Sequence, residues 1–447
     1  MRAILFVGVL VLMVAVSWIG LPGDRPVGGD TREQGAVQAG HADGESEMVV
    51  ERVDGPGATV AERTGSTFLP APENPYVSPR VRTIRVPDFP GANAIWGATG
   101  RDRRGHIWFG VSVHGGDNSA HLFEYDPERD EIIDRGDVLS NLKSAGLYKA
   151  GEKQIKIHSR IVQADDGYLY FSSVDEEGEK GDGSAPPKWG SHLWRLYPGD
   201  NHWQHLHWVQ EGLTAVAGGG RWVYALGLWN HVLYQHDTET GSLRSLTVGS
   251  EGGHMSRNLI ADTRGHVFVP RVSGASVSLV EFDPNLNEIG ATPLHNYLTG
   301  KNPGKSHGII GLVYLADGSM AISVHGGYLY RIRPMESGPS VVEPLGPFDP
   351  LNPNYSPSLF TYAGERYLVG VGRREPAGQS DKRRHAWLVH DLETGHSRRV
   401  DFPLDGKALI YGSIARDFAG RFYAVGRNRD PVSGRARPLF LQIDPGE

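Results

Sequence analysis

Ile95-Trp96-Gly97-Ala98-Thr99, then Asp102-Arg103-Arg104-Gly105, then Ile107-Trp108-Phe109-Gly110: within residues 95–110 a short apolar strand meets an Asp/Gly turn and then an aromatic strand. Turn residues between two β-rich runs read as a hairpin. The same order returns along the chain. His158-Ser159-Arg160-Ile161-Val162 precedes Asp165-Asp166-Gly167, and Ser256-Arg257-Asn258-Leu259-Ile260 precedes Asp262-Thr263-Arg264-Gly265. Residues 309–314 precede Asp317-Gly318, and residues 411–415 precede 417–420; weaker copies begin near Leu213 and Tyr355. The aromatic partner strand recurs as Leu169-Tyr170-Phe171, Trp222-Val223-Tyr224, Val267-Phe268-Val269, Met320-Ala321-Ile322, Tyr367-Leu368-Val369 and Phe422-Tyr423-Ala424. A third strand runs into an Asp turn, most clearly at Phe123-Glu124-Tyr125-Asp126-Pro127, Val280-Glu281-Phe282-Asp283-Pro284 and Leu388-Val389-His390-Asp391.

An irregular period of roughly 45–60 residues lies in the range of propeller repeats. Inner strand, turn, second strand, third strand, turn and outer strand make one four-stranded blade. The reading is therefore an all-β chain, a seven-bladed β-propeller of four-stranded antiparallel blades over residues 80–447. The seventh unit runs out of chain after its third strand, near residues 439–445. Val81-Arg82-Thr83-Ile84-Arg85-Val86 is an orphan strand before the first unit, and it is predicted to close the ring by pairing the two chain ends. The units, of the form Asp-x-x-Gly-x-x-Trp-Phe, resemble those of the virginiamycin B lyase-like and related secreted propellers, across nearly all of residues 81–447. That resemblance implies a fold and little chemistry.

The rest of the sequence bounds where such a propeller works. Gly at 59 and Pro at 29 of 447 residues supply the many turns that short strands need. A net charge of −7 argues against a nucleic-acid partner, which calls for a basic surface. The absence of cysteine excludes disulfides, thiolate metal sites and a cysteine nucleophile, and suits an oxidising compartment. After Arg2, an apolar run from Ile4 to Gly20 reads as a signal peptide or a membrane anchor over residues 1–22. Residues 23–79 read as a flexible spacer, so the propeller is expected to be exported, periplasmic or extracellular, touching a membrane only through its N-terminal segment.

Propeller topology sends the blade-to-blade connections and the second-to-third-strand loops to one face. Aligning the units predicts that this face bears Trp96, His158, Ser256, Tyr355 and Tyr411 at inner-strand starts, with His254 and His307 just before. His114, Asp175, His325, Arg373 and Arg427 follow the second strands, and Ser-Val-His-Gly-Gly stands at both 112–116 and 323–327. A lone loop histidine is usually just a polar surface residue, and His121 and His192, recurring before third strands, fit framework. His205 and His207 alternate on an outer strand, the most solvated in a blade. Convergence of His, Tyr and Arg on one rim is a candidate site. An acidic loop at 175–182 and a basic loop at 373–384 frame it.

Two functions follow. In the first, His158 or His114 acts as base, Tyr355 or Tyr411 donates a proton, and Arg257 neutralises a uronate carboxylate during β-elimination, with Trp96, Arg160, His254, His307, His325, Arg373 and Arg427 binding an anionic polysaccharide. This constellation, carried by His114, His158, Arg257 or Arg160, and Tyr355 or Tyr411, resembles that of secreted seven-bladed polysaccharide lyases such as ulvan lyases. The second is a non-catalytic membrane-tethered binding or assembly platform. A divalent metal, Ca held by the acidic loop or Zn or Cu by the rim histidines, is a third reading.

Overall fold

The computed structural model describes residues 74–445 except 116–118, 181–183, 229–230, 251–255, 298–307, 352–354, 375–383, 405–406 and 431. The expected signal peptide or anchor at 1–22, nearly all of the spacer, and His254 and His307 lie outside the described residues. Among those described, no helix is long and apolar enough to cross a membrane.

Seven antiparallel sheets follow one another along the chain, each one blade. Blades one to six span residues 92–137, 156–209, 213–247, 260–293, 309–347 and 360–401, and blade seven spans 409–444. Its fourth strand is the segment Arg80–Ile84, antiparallel to Ala436–Asp444 with Arg80 opposite Asp444 and Ile84 opposite Phe440. The orphan strand thus closes the ring. Tyr76 already packs edge-on to Tyr367 in blade six, and the Ser78 hydroxyl donates to the Asp401 carbonyl at 2.8 Å, so residues before the expected spacer boundary at 79 already pack on the propeller.

The recurring Asp/Gly turn has a physical cause. Asp102 accepts from the backbone N–H of Arg104 at 2.9 Å and of His106 at 3.0 Å, and from the Trp108 indole at 3.0 Å. Asp262 accepts from Arg264 N–H at 2.9 Å and His266 N–H at 3.0 Å, and Asp417 accepts from Arg421 N–H at 2.9 Å and the Tyr423 hydroxyl at 2.8 Å. An aspartate that bonds the backbone two and four residues on makes the turn by itself. Gly105 and Gly265 complete it at φ +89° and +79°, where a side chain would be strained.

Aromatic residues of the second and third strands fill the space between blades. Trp108, Trp194 and Trp387 are fully buried, as are Phe109, Phe171 and Phe268. Inner strands crowd at the axis: a Cβ at Gly100 would lie 1.9 Å from the Ile161 carbonyl oxygen. Two inner strands are broken, at residues 95–98 in blade one and 158–161 in blade two. The sequence units place continuous strands there. In blade two, Lys156–Ile157 pairs with the end of the second strand and Val162–Gln163 with its start. One short helix, α1 (Val138–Ser144), joins blades one and two, capped by the Asp137 carboxylate on Ser140 N–H.

Candidate functional site

Most of the predicted rim converges. Trp96 from blade one stacks on Tyr411 from blade seven at 4.4 Å between ring centroids. Cations cover this pair: the Lys156 ammonium lies 4.8 Å from the Trp96 ring, and the Arg427 guanidinium 5.7 Å from both rings. Arg257 from blade four lies 5.4 Å from the Tyr411 ring, and its Nη1 donates to the carbonyls of Tyr411 at 2.9 Å and Trp96 at 3.2 Å. Arg373 lies 5.0 Å from the Tyr355 ring, which His325 meets edge-on at 5.4 Å, and the Tyr355 hydroxyl donates to the Tyr411 carbonyl at 3.3 Å. The lysine and arginine contacts with the rings place a cation on an aromatic face, the quadrupole's negative side.

Behind this layer a cavity of only about 10 Å³, lined by Trp96, Arg257, Asn258, Ile310 and Tyr411, marks where the channel narrows. It has room for about one water. Two buried donors on its walls, Trp96 Nε1 and Arg257 Nε, have no acceptor among the described residues. Buried donors are nearly always satisfied, so an acceptor beyond the described residues fits here.

The histidines of the site are neutral near pH 7. Burial, and then the Arg257 and Lys156 charges, push His158 down to about 3, while its Nδ1 lies 3.2 Å from the Thr214 carbonyl. Burial with Arg257 and Arg373 pushes His325 down to about 4. Burial raises Tyr411 above its usual value against the opposing pull of Arg427, Arg257 and Arg373. Glu179, a residue of the acidic loop, is pushed up to about 7 by burial and the Glu176 carboxylate.

Other predicted residues do not join. His114 is exposed, and its backbone N–H donates to the Gly91 carbonyl at 2.9 Å. Arg160 is not on this rim. It lines a cavity of about 160 Å³ at the opposite end of the channel, because the blade-two inner strand starts at Lys156 and Arg160 lies well along it toward the Asp/Gly turn. His205 is not a freely solvated outer-strand residue either: its Nε2 lies 2.9 Å from His192 Nδ1, whose Nε2 meets the buried Glu152 carboxylate at 2.9 Å. Burial, then the neighbouring His192 and His207, push it down to about 4.

The described part of the acidic loop is taken up locally. Asp175 is buried and accepts from Glu177 and Trp189 N–H groups, Glu176 pairs with Lys156, and Glu177 pairs with Lys153 at 3.3 Å and Lys188 at 3.4 Å. Metal-like sets of ligands occur elsewhere, at Asp102/His106/Glu124 and Asp262/His266/Glu281. An arginine already bridges each set: Arg104 Nη2 lies 2.7 Å from Asp102 and 2.6 Å from Glu124, and Arg264 Nη2 lies 2.6 Å from Asp262 and 3.1 Å from Glu281. Their positive charge stands where a metal ion would, which makes these sets staples of the blade turns.

Comparison with family models and with curated protein sequences finds no match. Solved structures are similar in fold. The extracellular domain of the hybrid two-component system BT4673 from B. thetaiotaomicron matches at 14% identity and TM-score 0.46, over 81% of this chain and 39% of that one. YCF48 bound to D1 peptide matches at 13% and 0.47, over 85% and 98% of the two chains. A protein described as a 6-phosphogluconolactonase, from Bacteroides uniformis, matches at 12% and 0.45, over 76% and 98%. The chain spans about two fifths of the length of the BT4673 domains it matches. At these levels the kinship is one of fold, and the chemistry of the channel has to be read from its own residues.

Proposed function

We propose that the protein is an exported binding propeller whose loop-face mouth, the rim around Trp96 and Tyr411, holds an anionic carbohydrate. One observation carries this reading: the unsatisfied donors Trp96 Nε1 and Arg257 Nε border one narrow cavity beneath a layer of Lys156, Arg373 and Arg427. A uronate offers carboxylate oxygens to these two donors and a sugar face to the aromatic rings.

The second reading is the uronate lyase. It is favoured by Tyr411, a potential proton carrier, standing among Arg257, Arg373 and Arg427. In that reaction a base takes the proton next to the carboxylate, the bond to the leaving oxygen breaks, a carbon–carbon double bond forms and an acid protonates the leaving group. The base is the weak point, since a histidine held near about 3 accepts protons poorly.

Calorimetric titration with a uronate oligosaccharide and a neutral one of equal length, with near-ultraviolet absorbance followed in parallel, separates the readings. Uronate-selective binding without new absorbance, weakened about tenfold by Arg427→Ala, is the expected result. Rising absorbance from unsaturated ends establishes the lyase instead. Equal binding of both sugars, or none, overturns the carbohydrate site.

A further inference from the structure

The cavity of about 160 Å³ at the other end of the channel, where the inner strands run into the Asp/Gly turns, has a composition of its own. Four arginines line it: Arg101 and Arg103 from blade one, Arg160 from blade two and Arg416 from blade seven. Tyr314 walls one side, and blade three contributes Gly218, Gly219 and Gly220, which leave the space open. The lining carboxylates are Asp102 and Asp165. Asp102 is buried and engaged by Arg104 and Trp108, so it contributes little to the cavity's charge balance.

The guanidinium groups are aimed by backbone carbonyls. Arg103 Nη2 donates to the Ala164 carbonyl at 3.1 Å, Arg416 Nη1 to Thr361 at 3.1 Å, and Arg101 Nη1 to Arg416 at 3.3 Å. A carbonyl dipole orients a guanidinium and leaves its formal charge in place. Arg160 is the sharpest case. Among the described residues it has no carboxylate partner, its Nε is buried without an acceptor, and its neutral partner is Tyr314, whose ring lies 6.0 Å away. Burial holds its guanidinium below the usual arginine range. A desolvated charge with no counter-charge is costly, and an incoming anion removes that cost.

We propose that this cavity is a second binding site, separate from the loop-face mouth, for a small doubly charged oxyanion: phosphate or sulfate, free or as the terminal ester of a larger molecule. The volume admits several waters and so a group of that size. Forked donors converging from three blades match the tetrahedral oxygens of such an ion.

Equilibrium dialysis of the full chain with labelled inorganic phosphate tests this. The expected result is one phosphate per chain, displaced by sulfate and not by chloride at equal ionic strength. Arg103→Gln, at an exposed position that does not threaten folding, should weaken binding at least about tenfold, and Arg160→Gln should remove it. Arg427→Ala at the other mouth should leave it unchanged, so this site and the carbohydrate site fail independently. A phosphate monoester that competes assigns the source to an ester; one that does not assigns it to the free ion. Absence of saturable phosphate binding, or binding unchanged in both Arg103→Gln and Arg160→Gln, overturns the site.

Discussion

The two ends of the channel are both rich in arginine, yet they dispose of positive charge in opposite ways. At the loop face the cations lie on aromatic rings, and Arg257 spends its Nη1 donor on two main-chain carbonyls. At the turn face Arg101, Arg103 and Arg416 also donate to carbonyls, but around open space, and among the described residues Arg160 has no carboxylate partner. The first arrangement adds to the stability of the ring; the second is a cost that a ligand can relieve. A count of arginines would not separate them.

The largest effect tests whether both ends depend on one closed ring. Deleting residues 1–84 removes the fourth strand of blade seven and should abolish the cooperative thermal transition together with binding at both ends. Deleting 1–73 should leave all three unchanged, whereas a deletion through residue 78 also removes Tyr76 and Ser78 from blade six and should lower the melting temperature modestly. A normal transition without residues 1–84 would break the comparison, since the ends would then not share a frame.

The second test predicts opposite signs. Arg257→Met strands the Trp96 carbonyl, leaves the Tyr411 carbonyl only its 3.3 Å bond from Tyr355, and should cost about 1–2 kcal/mol in chemical denaturation. Arg160→Met deletes an unanswered charge and should be neutral or slightly stabilising. Equal losses at the two positions would show that the turn-face arginine is structural after all.

Acid should act at one end only. His158 and His325 are neutral in the folded chain, at about 3 and about 4, against 6.5 when unfolded. The unfolded chain therefore binds more protons below pH 6.5. The stability these groups supply is complete above that value and is lost as pH falls from 6.5 toward 4, by up to about 1.4 kcal/mol per pH unit for each. His158→Asn with His325→Asn should flatten that part of the profile; an unchanged slope would assign it to His205, His236 and His390, which burial lowers as well. The smallest effect is Tyr355→Phe, which loses one 3.3 Å hydrogen bond and should cost about 0.5–1 kcal/mol, with its ring contacts to Arg373 and His325 intact.

The fold was legible in the sequence because five of the seven blade turns are built by an aspartate and a glycine close together in the chain, and six of the seven second strands carry aromatic residues. The closing strand was legible because the last unit lacked one. The site was legible in part. Trp96, Tyr355, Tyr411, Arg257, Arg373 and Arg427 came together because alignment of the units fixes which end of a strand a residue occupies. Arg160 did not, because the break in blade two shifts position along the axis without altering residue types. The turn-face cavity went unread: Arg101 and Arg416 each stand directly before a repeated turn aspartate, Asp102 and Asp417, but nothing in the chain order sets Arg103 and Arg160 beside them. The half-buried pairing of His205 was hidden for a related reason, since its partner His192 lies on the neighbouring strand.

The closing strand also has a mechanical consequence. Arg80 lies opposite Asp444, so the two chain ends leave the ring from the same end of one antiparallel pair. Tension applied between them does not shear five rungs at once. After Tyr76 and Ser78 let go of blade six, it opens the pair one rung at a time, from Arg80–Asp444 toward Ile84–Phe440. A ring that resists heat as a unit would thus yield to a pull on its ends at low force, like a zip drawn from its open end.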